Sequence, residues 1–217
     1  MTIYKTAVAI FLLLLITSSQ GLTTNSWQLS KDKDGIQVHI RHNPTSVIKT
    51  FKGTMAINSR LSSLVAAIQD TQAYPRWLHK CKSASTIKTV GNNQIYSYVV
   101  TGMPWPVADR DSIVHSVLTQ NKSNNQTIIK LTSEPNMLPL KQGMVRIQSL
   151  TGQWLLTPLT KGDVSVTYEM SVDPGGNIPK WLVNLMAVDL PFNTLQKLRN
   201  IVKEARYVNA RMGNIID

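Results

Sequence analysis

Met103-Pro104-Trp105-Pro106-Val107-Ala108-Asp109-Arg110-Asp111, running directly into Ser112-Ile113-Val114-His115-Ser116-Val117-Leu118, is the stretch on which the fold assignment turns. The two prolines fix φ around a tryptophan and remove backbone donors, so the loop is stiff. The apolar run after the Asp-Arg-Asp triplet has the composition of a strand. A rigid apolar knob beside a charge cluster suits the rim of a pocket.

Outward from this loop the chain reads as strands and tight turns. Upstream, 85–90 and 94–101 are joined by Gly91-Asn92-Asn93; downstream, 112–120 and 126–133 are joined by Lys122-Ser123-Asn124-Asn125. Such turns imply antiparallel hairpins. A proline-rich loop, 134–140, precedes three more expected strands at 144–150, 153–159 and 164–172. Nearer the N-terminus, Lys31-Asp32-Lys33-Asp34-Gly35 reads as a turn. Ile36, Val38 and Ile40 alternate with polar residues as in a half-buried strand, and a second strand follows over about 47–57. Asn58 or Ser59 is placed to cap a helix carrying Leu61, Leu64, Val65 and Ile68, and a short helix is expected within 71–82.

The chain closes with a long amphipathic helix capped by Asn177, with Pro179 in its first turn. Its apolar stripe includes Trp181, Leu182, Leu185, Met186, Phe192, Leu195 and Leu198, and Pro191 should kink or break it. This order predicts an α+β fold in which a curved antiparallel sheet grips the final helix. One helix cannot fill the hollow of a strongly curved sheet, so a cavity is expected, typically about 300 to 1,000 Å³ for a small-molecule site.

The 217 residues, 42% hydrophobic and 16% charged, suit one domain with a real core. Residues 1–21 differ: Lys5, an apolar run from Ala7 to Ile16, then small residues as far as Gly21, the layout of a secretory signal peptide. The run is short for a membrane span, an uncleaved anchor being the other reading. The domain is therefore placed at 22–217, in an exported protein, periplasmic or secreted. The net charge of +11 favours anionic partners such as membrane headgroups. Its lysines and arginines are scattered and no nucleic-acid-binding motif is present, so nucleic acid is not expected. The single Cys81 excludes an internal disulfide, and His39, His42, His79 and His115 have no metal-ligand spacing, so neither metal nor cofactor is expected. No nucleophile elbow, phosphate loop or dinucleotide motif appears.

Two segments together carry a resemblance. Pro104-Trp105-Pro106-Val107-Ala108-Asp109-Arg110-Asp111 and Asp173-Pro174-Gly175-Gly176-Asn177-Ile178-Pro179-Lys180-Trp181-Leu182 resemble the two signatures of START (steroidogenic acute regulatory protein-related lipid transfer) domains, in the same order and at similar separation. Gly143-Met144-Val145-Arg146 and Leu155-Leu156-Thr157-Pro158-Leu159 are similar too, and coverage runs from Trp27 to Tyr207. The resemblance implies a helix-grip fold enclosing a tunnel for one hydrophobic lipid, without catalysis. Its gate would be 102–108, hinged at Gly102, facing Trp181, Leu185 and Met186 of the final helix. Where some sterol-binding members carry a basic residue, this chain has Ser116.

The candidate ligand-binding set is Tyr96, Tyr98, Trp105, Arg110, Val114, Ser116, Arg146, Trp154, Tyr168, Trp181, Leu182, Leu185 and Met186. Within it Arg110 either meets a headgroup at the mouth or ties a loop to the sheet, and Trp105 is either a gate residue or core. Tyr96, Tyr98, Trp154 and Tyr168 are either tunnel wall with a cation cage or packing. The protein is expected to act as a monomer that touches anionic membrane transiently. The alternative function is a helix-grip enzyme of the polyketide cyclase and aromatase kind, with Asp111, His115 and Glu134 available for proton transfer.

Overall fold

A computed structural model of the chain describes residues 26–42 and 49–217. The signal-peptide reading of 1–21 lies outside the described residues. In chain order the elements are β1 (Gln28–Lys33), β2 (Ile36–His42), β3 (Lys49–Asn58), α1 (Leu61–Gln69), α2 (Tyr74–Trp77), β4 (Cys81–Val90), β5 (Gln94–Thr101), β6 (Asp109–Gln120), β7 (Thr127–Ser133), β8 (Met144–Arg146), β9 (Ser149–Pro158), β10 (Asp163–Asp173), α3 (Lys180–Ile201) and α4 (Ala205–Val208).

Ten strands form one sheet in the order β1-β2-β3-β10-β9-β7-β6-β5-β4, antiparallel throughout, with β8 added in parallel beside the start of β6. Helix α3 lies on β2 and β3, where Ile36, Val38, Phe51 and Met55 join Phe192, Leu195 and Leu198 in one core. Gly53 on β3 is what lets the helix come so close. A Cβ there would stand 2.7 Å from Leu195 Cδ1 and 3.3 Å from Pro191 Cβ.

Several sequence expectations are corrected in detail. The segment from Lys31 is strand as far as Lys33, and only Asp34-Gly35, both at positive φ, makes the turn. That two-residue loop with an Asp-Gly pair is a common hairpin solution. The short helix stops at Trp77, and Lys80, at φ 65°, turns the chain into a strand that begins four residues before the expected Ser85. Residues 149–158 form one strand rather than parts of two. Gly152 reads as a break, but an added Cβ would lie 2.5 Å from the Glu169 carbonyl oxygen, so it marks close strand approach.

Neither expected helix cap operates. Asn58 hydrogen-bonds Asp163 across the sheet at 2.9 Å, and the first turn of α1 is closed by Asp217, which accepts from the Ser62 amide at 2.7 Å. Helix α3 starts after Pro179 and runs through Pro191, whose ring is buried against β3.

Gly53→Val should therefore overpack the contact between helix and sheet. Urea denaturation should show a loss of about 1 to 3 kcal/mol as a lower midpoint at constant slope.

Candidate functional site

The three charged residues that open β6 each hold a different loop. Asp109 accepts from the Met103 amide at 3.0 Å and from Lys82 Nζ at 2.7 Å, which fixes both ends of 102–108 against the sheet; those bonds hold its carboxyl below the ordinary carboxylate range. Arg110, 2% exposed, donates to the carbonyls of Ala108, Pro174 at 3.0 Å and Gly175 at 2.9 Å. Gly175 and Gly176, both at positive φ, shape the turn that presents those carbonyls just before α3. Asp111 takes two bonds from Arg146, at 3.0 and 2.9 Å, and one from the Tyr98 hydroxyl at 3.0 Å. Arg146 spends its other donors on the carbonyls of Pro135, Leu138 and Pro139. Successive side chains of a strand point to opposite faces, so this triplet staples loops on both sides of the sheet.

Between the sheet and α3 lies a cavity of about 150 Å³. That is room for roughly five waters at about 30 Å³ each. Its sheet wall comes from alternate positions: Ser97, Val99 and Thr101 on β5, Ser112, Val114 and Ser116 on β6, Leu131 on β7, Leu150 and Trp154 on β9, and Tyr168, Met170 and Val172 on β10. Val183, Met186, Ala187 and Leu190 of α3 form the opposite wall, and Met103 comes from the stiff loop. Phe51, Tyr74, Trp77, Trp154 and Tyr168 make an aromatic corner: Trp154 stacks on Tyr168 at 3.9 Å, and Trp77 meets Trp154 edge-on at 5.9 Å. The Ser97 and Ser116 hydroxyls donate to the Val114 and Ile95 carbonyls. His79, also on the wall, is held below its ordinary pKa by burial and by Lys197 and Lys80, so its ring is neutral at pH 7. Burial pushes the Tyr74 phenol up to about 12.

Of the residues singled out from sequence, Val114, Ser116, Trp154, Tyr168 and Met186 come together on this wall. Tyr96, Tyr98 and Arg146 lie on the other face of the sheet. Tyr98 packs with Val100, Ile113, Met137 and Met144 in a second small core under the 134–143 loop, and Tyr96 stacks on His115 at 4.1 Å. Arg110 is buried at the rim, spent on carbonyls. Trp105 is neither core nor cavity wall but 92% exposed, Trp181 is 61% exposed, and Leu182 is buried off the cavity wall. The side chain of Leu185 lies outside what the structure describes. Asp111, His115 and Glu134, the proton-transfer candidates, are not on the wall either.

Sequence reasoning passed over Ser97, Val99, Thr101 and Ser112. The signal was present, since each shares its strand's parity with Val114 or Ser116 through the pairing of Ser97 with Val114. What misled is that both faces of β5 are apolar, so alternation does not say which face is the hollow one.

The family model for the START domain matches residues 16–206 of the chain. An uncharacterised protein of Pseudomonas aeruginosa is 34% identical over 178 residues, which is 82% of this chain and 87% of that protein. A STAR-related lipid transfer protein from Xanthomonas axonopodis, solved as a crystal structure, superposes with a TM-score of 0.76 at 32% identity, covering 82% of this chain and 99% of that one. The phosphatidylcholine transfer protein of Bos taurus is 24% identical over 182 residues, 77% of this chain and 79% of that protein.

Asp111→Asn should be severe, because it leaves Arg146 buried without its counter-charge: about 3 to 5 kcal/mol in chemical denaturation. Burial pushes the Asp111 carboxyl up, but the bonds from Arg146 and Tyr98 outweigh it and hold it below its ordinary value. Its contribution is thus complete above about pH 4 and is lost as pH falls through the folded value. A pH series should show a shallower acid limb in the variant than in wild type.

Proposed function

Since the chain belongs to the START domain family, we propose that it carries one hydrophobic lipid in the cavity beneath α3 and passes it between membranes without making or breaking a covalent bond. One observation carries this reading: an apolar and aromatic hollow whose wall, among the described residues, includes no Asp, Glu, Lys or Arg. General acid-base catalysis needs groups that exchange protons near neutral pH. Among the described residues His79 is the wall's one group of that kind, without a carboxylate beside it on the wall.

The energetics favour a carrier. Apolar surface removed from water is worth roughly 25 cal/mol per Å², so an enclosed hollow competes with a bilayer for a chain of several hundred Å². At about 150 Å³ the cavity is smaller than the usual small-molecule site of about 300 to 1,000 Å³, so cargo entry must widen it. The rim loops are fastened by Asp109, Arg110 and Arg146, and the wall that yields is the first half of α3, where Val183, Met186 and Ala187 face the hollow. Exposed Trp181 lies in the first turn of that helix and exposed Trp105 two residues after the wall residue Met103, both suited to the headgroup region of a membrane, toward which the net charge of +11 steers the protein. Export to the periplasm or medium, as a monomer, completes the proposal.

Two measurements test it. Met186→Trp should fill part of the hollow and cut lipid uptake from vesicles severalfold while thermal stability is kept or raised; unchanged uptake would remove the carrier reading from this cavity. Trp105→Ala should weaken co-sedimentation with anionic vesicles, added salt should weaken it further, and folding should not change, because the side chain is almost wholly in water.

A further inference from the structure

Trp77 is 2% exposed, lines the cavity, and its indole Nε1 has no hydrogen-bond acceptor among the described residues. Buried polar groups are nearly always partnered, and one left bare keeps its full desolvation penalty. An indole N–H only donates, so nothing but an acceptor atom satisfies it. The neighbouring Tyr168 hydroxyl is close to the same condition, its recorded partner being Met170 Sδ at 3.8 Å, a weak acceptor. The aromatic corner therefore holds two donors with little to donate to, at the place where Trp77, Trp154 and Tyr168 meet.

The charge pattern around this corner restricts what can sit there. Arg146 lies on the other face of the sheet, bound to Asp111 and to loop carbonyls, and Arg110, on the cavity face at the mouth, gives its donors to the carbonyls of Ala108, Pro174 and Gly175. An ionised phosphate seated inside would have no counter-charge, which is prohibitive in a dry interior. A choline group could lie on an aromatic face, but it brings its phosphate with it, and Trp154 and Tyr168 stack on each other while Trp77 and Phe51 meet them edge-on.

Resting on the carrier reading above, we propose that the cargo is an uncharged lipid whose head carries a hydroxyl or carbonyl oxygen, and that this oxygen accepts the Trp77 indole N–H in the aromatic corner. Specificity of this kind comes from a buried donor that goes unpaired when the wrong head enters, the stronger form of discrimination available to an apolar site. The phosphatidylcholine-type head of the bovine relative is thus the wrong chemistry for this interior.

The test uses the full chain, freed of bound lipid, mixed with vesicles of dioleoylphosphatidylcholine alone, or of the same lipid carrying dioleoylglycerol, cholesterol, oleyl alcohol or dioleoylphosphatidic acid. The protein is re-isolated and read by native mass spectrometry. The expected result is uptake of one or more of the three neutral lipids from a large excess of phosphatidylcholine. Trp77→Phe, which keeps a ring and loses the N–H, should bind that lipid about tenfold more weakly. Preferential uptake of phosphatidylcholine or phosphatidic acid overturns this inference while the carrier reading stands; no lipid of any class overturns both. Full-strength neutral-lipid binding by a folded Trp77→Phe removes the anchor. If that variant does not fold, the wild-type choice among the five vesicles decides alone.

Discussion

Asp111 and Arg146 are buried together to 1% exposure of each side chain, and the geometry of the mouth depends on this pair. In energy alone such a pair is worth little against an apolar replacement of the same shape. Its value here is positional. Arg146 holds Asp111 with two donors and reaches three loop carbonyls with the rest, so the 134–143 loop has one place to sit. Asp109 and Arg110 do the same for the two loops that border the start of α3. Because the three residues are consecutive on β6, the loops are registered to one strand.

This arrangement explains which parts of the site were legible in sequence. The Asp-Arg-Asp triplet and the glycine pair at 175–176 stand out in the chain, and they are indeed in contact, through Arg110 and the Pro174 and Gly175 carbonyls. The order of elements, the strands with period two and the long apolar helix were legible for the same reason: local chemistry sets them. What could not be read was direction. Tyr96 and Tyr98 were natural candidates for a tunnel wall, yet the 134–143 loop folds back over that face and buries Tyr98 in a second core. Aromatic content marks a covered face, and in this sheet both faces of β5 and β6 are covered.

Long-range partners were the other blind spot. Asp217 closes the first turn of α1 from a distance of 155 residues, and Tyr207 reaches Asp70 at 2.7 Å to hold α4 beside it. No window along the chain contains both members of either pair. Gly53 and Gly152 carry a related lesson: the expected strand over about 47–57 runs through the first and the expected strands part at the second, and at both the strand continues and something else comes close. Only the partner, α3 in one case and β10 in the other, gives the residue its meaning.

The surface and the interior obey opposite electrostatics. Lys31, Lys52, Lys88 and Lys141 lie over aromatic rings at 3.9 to 4.5 Å and contribute to a strongly cationic exterior, while the hollow has neutral walls. The proposed docking on anionic membrane rests on the first property, and the proposed preference for an uncharged head on the second. Opening is shared out in a similar way. The loops are anchored by buried charge, and the second half of α3 is pressed onto Gly53 by Pro191 and Leu195. The first half of α3 rests on the hollow itself, through side chains whose neighbours on that side are empty space. For the proposed carrier, Val183, Met186 and Leu190 lose little packing when that half lifts, since contacts that were never formed need not be broken.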